Sequence, residues 1–122
     1  MKNKLVLSMP NEAGNFDDGI GVKYYNNRKH AGVFKDKLEN GIGITEWPSG
    51  AKVYGVFKDG TMDGLGLFIT RTKLKYYGEI KNFKPVSNKH WFNGNNDPVN
   101  LTLEQSIEVF AREINDNSST SN

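Results

Sequence analysis

The sequence predicts a mainly β protein: a curved antiparallel meander of repeated β-hairpins, with one C-terminal α-helix packed on it. Three observations predict this. Gly32, Gly55 and Gly78 recur at intervals of 23 residues, each followed by a matching pair: Val33-Phe34, Val56-Phe57 and Glu79-Ile80. A second series, Gly19-Ile20-Gly21, Gly41-Ile42-Gly43 and Gly64-Leu65-Gly66, recurs at 22 and 23 residues. Beyond the repeats, LTLEQSIEVFAREI sets Leu103, Ile107, Phe110 and Ile114 at helical spacing.

The elements follow in chain order. In residues 1–15, Leu5, Leu7 and Met9 alternate, which predicts a strand capping the open edge of the array. Residues 16–85 are the hairpin array. In its best-defined unit, residues 53–57 are a strand, Lys58-Asp59-Gly60 is turn chemistry, and residues 64–70 return. Successive units are joined at Tyr25-Asn26-Asn27-Arg28, Trp47-Pro48-Ser49-Gly50 and Thr70-Arg71-Thr72-Lys73. The array stops near Pro85, because Phe83 stands where a turn glycine is expected.

Residues 86–100, with WFNGNNDP, read as a loop whose Trp91 and Phe92 plug the end of the array. Residues 101–115 are the helix: Thr102 and Gln105 form a capping-box pattern, and Glu104 suits the first turn. The Ser- and Asn-rich tail, 116–122, is expected to be disordered.

The stretch WPSGAKVYGVFKDGTMDGLG resembles the MORN repeat, a unit of roughly Y-x-G-x-F/W-x-x-G-x-x-x-G-x-G joined by an aromatic-Pro-polar-Gly turn. About two and a half to three such repeats cover residues 16–85. The leading tyrosine position holds His30, Val53 and Tyr76 here. The resemblance implies a non-catalytic binding or scaffolding module, in a family some of whose members associate with membranes.

Side chains alternate across a strand, so the repeat glycines (Gly19, Gly21, Gly32, Gly41, Gly43, Gly55, Gly64, Gly66 and Gly78) line up beside bulky rings. Positions without Cβ atoms are then seats for aromatic side chains and permit sheet curvature; the alternative is that they merely mark bulges. This reading leaves Phe34, Trp47, Phe57, Phe68 and Tyr76 as an exposed aromatic binding face. The opposite face carries Ile20, Val22, Val33, Ile42, Ile44, Val56, Leu65 and Leu67, an apolar ladder that needs cover. The expectation is that the helix docks on this ladder. The alternative is that ladder or helix binds a second molecule.

Catalytic chemistry is sparse. His30 occupies a structural position and His90 adjoins Trp91. Metal-ligand spacing is missing, the GxG pairs lack the third glycine and following helix of a dinucleotide fingerprint, and no nucleophile, base and oxyanion donor assemble. The expectation is no enzyme, no metal and no cofactor. There is no cysteine in the 122 residues, which fits a reducing compartment. The apolar run before Pro10 is too short for a signal-peptide core, so a cytoplasmic protein, at most peripherally membrane-associated, is expected.

Formal net charge is +2, and the acidic helix region concentrates the positive charge in the array. The connecting turns bring Lys23, Arg28, Lys29, Lys52, Arg71, Lys73 and Lys75 to one edge. A protein partner, met through the aromatic face or an open sheet edge, is the first expectation. An anionic membrane surface on the basic edge is the alternative. Nucleic acid is disfavoured by the modest charge, and free strand ends allow a homodimer.

Overall fold

The computed structural model describes residues 12–87 and 89–115. The expected strand at Leu5, Leu7 and Met9 and the expected disorder of 116–122 lie outside the described residues. The elements are β1 (Ala13–Gly14), β2 (Asp18–Tyr24), β3 (Lys29–Lys35), β4 (Leu38–Glu46), β5 (Lys52–Lys58), β6 (Thr61–Ile69), β7 (Lys75–Lys81), β8 (Lys84–Pro85), β9 (Trp91–Phe92), β10 (Pro98–Val99) and α1 (Leu103–Asn115). The strands form one open antiparallel sheet, ordered β1 to β7, then β9 and β10, with β8 also on β7.

The three hairpins close through two-residue turns with positive φ at both positions: Asp36-Lys37, Asp59-Gly60 and Asn82-Phe83. Such turns match the right-handed twist of the flanking strands. Only Gly60 meets the left-handed requirement at no steric cost. Phe83 accepts it at φ 59, and its ring then lies 5.3 Å from Trp47 and 6.1 Å from Phe57. The missing turn glycine is exchanged for an aromatic cover.

Cross-strand register puts one glycine from each long strand into a continuous row: Gly21, Gly32, Gly43, Gly55, Gly66 and Gly78. This row is a trough in the inner face, and neighbouring side chains lie across it. A Cβ built on Gly21 would sit 2.6 Å from the Phe16 ring, on Gly43 2.5 Å from the His30 ring, and on Gly78 2.9 Å from the Tyr76 hydroxyl. At Gly55 and Gly66 the occupant is the Met62 methyl, at 2.0 and 2.1 Å. The seats are filled, three by rings and the central one by a thioether. Irregularities after Gly32 and Gly55 shift the register at β3–β4 and β5–β6 and bend the strands locally.

The core lies on this inner face. Phe34, Trp47, Phe57, Phe68 and Tyr76 are all buried, so the expectation of an exposed aromatic binding face is corrected. Phe110 of α1 stacks on Phe68, centroids 3.9 Å apart and planes 16° apart, and meets Tyr76 and Trp91 edge-on. The helix therefore docks on the aromatic face and leaves the aliphatic ladder open. Size decides between the faces. Rings bury more apolar area each than the aliphatic chains do, and a single helix covers only one side of a sheet.

The helix is also rotated from the expected phase. Ser106, Val109, Phe110 and Glu113 are buried, while Leu103 and Ile107 are 41% and 39% exposed. Polar contacts set this rotation. Trp91 Nε1 donates to Ser106 Oγ at 2.8 Å, Ser49 Oγ donates to the Glu113 carbonyl at 2.6 Å, and the Arg71 amide donates to the Glu113 carboxylate at 2.9 Å. The capping box forms as the sequence predicts: the Gln105 amide donates to Thr102 Oγ1 at 3.0 Å, and the Thr102 amide to Gln105 Oε1 at 2.9 Å. Residues 86–100 are not all loop. Trp91 pairs with Tyr76 and Phe92 with Lys75, so β9 extends the sheet past β7.

Candidate interaction surface

With the rings inside, the outer face of β2–β7 is made by the intervening positions of each strand. One cross-strand row reads Val22, Ala31, Ile44, Tyr54, Leu67 and Tyr77, in register over all six strands. Beside it runs a second row, with Ile20 opposite Val33, Ile42 opposite Val56, and Leu65 opposite Glu79. Ile20, Ile42 and Leu65 are 75%, 73% and 61% exposed. An antiparallel sheet with one packed face ordinarily turns polar residues to water on the other. Here Glu79 is the one charge in these two rows.

Charges frame the apolar rows at both strand ends. Toward the connecting turns, Lys29, Glu46, Lys52, Ile69 and Lys75 share a row. Toward the hairpin turns, Asp18 stands opposite Lys35 and Asp63 opposite Lys81. The frame is mixed in sign, with Lys29 Nζ 3.5 Å from Glu46.

The basic edge is smaller than the sequence predicts. Lys29, Lys52 and Lys75 share the row just described. Arg28 turns inward to Glu39, and Arg71 Nε lies 3.4 Å from the buried Glu113 carboxylate. Lys23 lies over the Phe16 and Tyr25 rings at 5.7 and 5.6 Å. Lys75 Nζ bonds Asn96 Oδ1, and Lys73 sits in the turn before β7 at φ 73.

Arg28 and Glu39 form a polar cluster that sequence reading missed. Glu39 is 2% exposed, and Arg28 Nη1 donates to it at 2.9 Å. The guanidinium also stacks 4.1 Å from the Tyr25 ring centre. Burial opposes charge on Glu39, but the hydrogen bonds from Arg28 and Tyr25 outweigh it and hold the carboxyl below its usual range. Burial, with help from the Glu39 charge, raises Tyr25 to about 12. The repeat alignment carried the signal: Glu39 falls where Met62 sits one unit later, and Arg28 where Ala51 sits. A buried cation stands with the carboxylate that replaces a core methionine.

His30 is fully buried. Its Nδ1 lies 2.7 Å from Thr45 Oγ1, and Nε2 has no partner among the described residues. The ring meets Phe57 edge-on at 4.5 Å and Phe34 at 5.6 Å. Burial pushes its pKa down to about 4, against the pull of the Glu39 carboxylate. A histidine sealed among rings over Gly43 has no access to a substrate. His90 is exposed at φ 64, and its carbonyl accepts the Tyr77 amide at 3.0 Å.

Among the described residues no group of three or more His, Asp and Glu side chains could hold a metal ion, and no helix is long and apolar enough to cross a membrane. These features define the class of molecule: an open antiparallel β-meander, sealed on one face by a C-terminal helix and, among the described residues, uncovered and apolar on the other. No protein-family model matches the chain, and no curated protein matches it.

Proposed function

We propose that this protein is a non-catalytic interaction module, of the scaffold type that the MORN-like pattern suggests, and that it binds another protein through the outer face of β2–β7. The observation that carries this reading is the double row of exposed and half-buried aliphatic and tyrosine side chains. Its extent, about 24 Å across six strands, exceeds the scattered apolar residues normal on a monomer. The cysteine-free composition suits a cytoplasmic setting. The test is affinity capture with the full chain and with an Ile42→Lys, Leu65→Lys variant. Both positions are exposed, so the variant is expected to fold. A partner held by the parent chain and lost by the variant is the expected result. Equal capture by both overturns the proposal.

A second reading rests on the lysine row. Lys29, Lys52 and Lys75 flank the apolar face, the arrangement by which a peripheral protein lies on an anionic bilayer. Flotation with phosphatidylserine vesicles tests it. Unchanged flotation after reversing these three charges removes that reading.

A further inference from the structure

We infer that the occupant of the outer face is a second copy of this chain, packed sheet against sheet about a two-fold axis that runs parallel to the strands between β4 and β5. This rests on the outer face being an interaction surface, and it names the partner.

Size comes first. The face measures about 24 Å by about 20 Å, about 480 Å² in projection, which is below the roughly 800 Å² of accessible surface that each partner buries in a standard interface and points to a weak dimer. Two such sheets pack about 10 Å apart with strands nearly aligned.

Self-complementarity comes second. In an isologous pair each row must fit its own reverse. The proposed axis carries β2 onto the partner's β7, β3 onto β6, and β4 onto β5. In the central row this sets Ala31 against Leu67, Val22 against Tyr77 and Ile44 against Tyr54, a smaller side chain against a larger one each time. In the frame it sets Asp18 against Lys81, Lys35 against Asp63 and Glu46 against Lys52, opposite charges each time and twice per dimer. The other in-plane two-fold, perpendicular to the strands, turns each strand end for end. It sets Lys29 on Lys35, Lys52 on Lys58 and Lys75 on Lys81, all repulsive. The proposed axis leaves two mismatches: Ile20 against Glu79 on the flanking strands β2 and β7, and Lys29 against Ile69 in the row near the connecting turns.

The charge pattern thus favours this axis over the perpendicular one, and suits a second copy of the same face. The face lacks the single-sign field that a strongly charged partner would require.

Sedimentation equilibrium of the full chain from about 1 to about 100 μM tests this, over the range where weaker interfaces of this area dissociate. A species of twice the 13.7 kDa chain mass is expected. Ile42→Lys, close to the axis, is expected to weaken association at least about 30-fold with an unchanged circular dichroism spectrum. Lys35→Asp is expected to weaken it about tenfold through its two symmetric pairs, and Lys35→Asp with Asp63→Lys to restore it.

A dimer indifferent to Ile42→Lys uses another surface and overturns the inference. A monomer that floats with phosphatidylserine vesicles through Ile42 has a membrane on this face and overturns it. A monomer that loses a captured partner protein on Ile42→Lys also overturns the dimer, while leaving the proposed function standing. Ile42→Lys changing neither self-association nor capture overturns both.

Discussion

Glu39 and Met62 occupy the same place in successive hairpins. Each is the second residue of its return strand, each is buried, and each stands opposite a core phenylalanine, Phe34 and Phe57 respectively. Glu39 takes Arg28 with it, whereas the position one unit after Arg28 holds Ala51. The molecule thus contains two solutions to one packing problem, one ionic and one apolar.

Exchanging the solutions is the first test. Arg28→Ala leaves the Glu39 carboxylate buried without its cation, and a loss of about 3–5 kcal/mol is expected. Arg28→Ala with Glu39→Met copies the next unit and is expected to be neutral or more stable than the parent. Urea unfolding of the single and double variants reads the difference.

The glycine trough gives a second expectation. A methyl at Gly55 meets the flexible end of Met62, whereas a methyl at Gly32 meets the Ile42 carbonyl at 2.5 Å and the Gly43 Cα at 2.6 Å. Backbone cannot retreat as a thioether can. Gly55→Ala is expected to cost about 1–3 kcal/mol, and Gly32→Ala to cost more. In the presence of Met62→Ala the cost of Gly55→Ala should shrink, a coupling that a double-mutant cycle measures.

Acid should weaken the fold through His30. Its folded pKa, about 4, lies below the ordinary 6.5, so the unfolded chain takes up the proton first as pH falls. Its share of stability is complete above pH 6.5 and drains away between 6.5 and 4, on the order of 3 kcal/mol in all. Glu39, depressed by Arg28, contributes above the usual carboxylate pKa and loses its share at still lower pH. In His30→Phe the slope of stability against pH between 6.5 and 4 is expected to flatten, while the acid loss from Glu39 persists. Denaturant midpoints across that range check it.

Helix phase has its own signature. Phe110→Ala removes a ring stacked on Phe68 and is expected to cost about 3–5 kcal/mol. Leu103→Ala and Ile107→Ala touch half-exposed side chains, and each is expected to cost less than about 1 kcal/mol. A thermal-melt series that reversed this order would place the wrong face of α1 inward.

The hairpins were legible because their signals are local. Period, turn residues and strand alternation all act within a few residues, and the capping box acts within four. The choice of inner face was not, because alternation says that two faces differ without saying which has the larger total to bury. Phe34 and Ile42 are both apolar. What separates them is the six-glycine trough, which exists only once the strands are in register. The helix phase was misread for a related reason. Leu103 and Ile107 advertise an apolar stripe, but Ser106 and Glu113 answer partners at Trp91, Ser49 and Arg71, far away in sequence. The Arg28–Glu39 pair was open to inspection in the repeat alignment, as two positions where one unit departs from the next together.

The clasp between Glu113 and the turns at Ser49 and Arg71 bears on folding order. Hairpin contacts join near neighbours along the chain, so the meander can zip from any turn, whereas the clasp closes loops of 64 and 42 residues and carries the larger entropic barrier. The sheet is therefore expected to form early and α1 to seal its rings late, so that substitutions in α1 speed unfolding more than they slow folding. On that order, a chain still being synthesised is expected to carry unsheathed rings until α1 has emerged, an interval in which a chaperone would have something to hold.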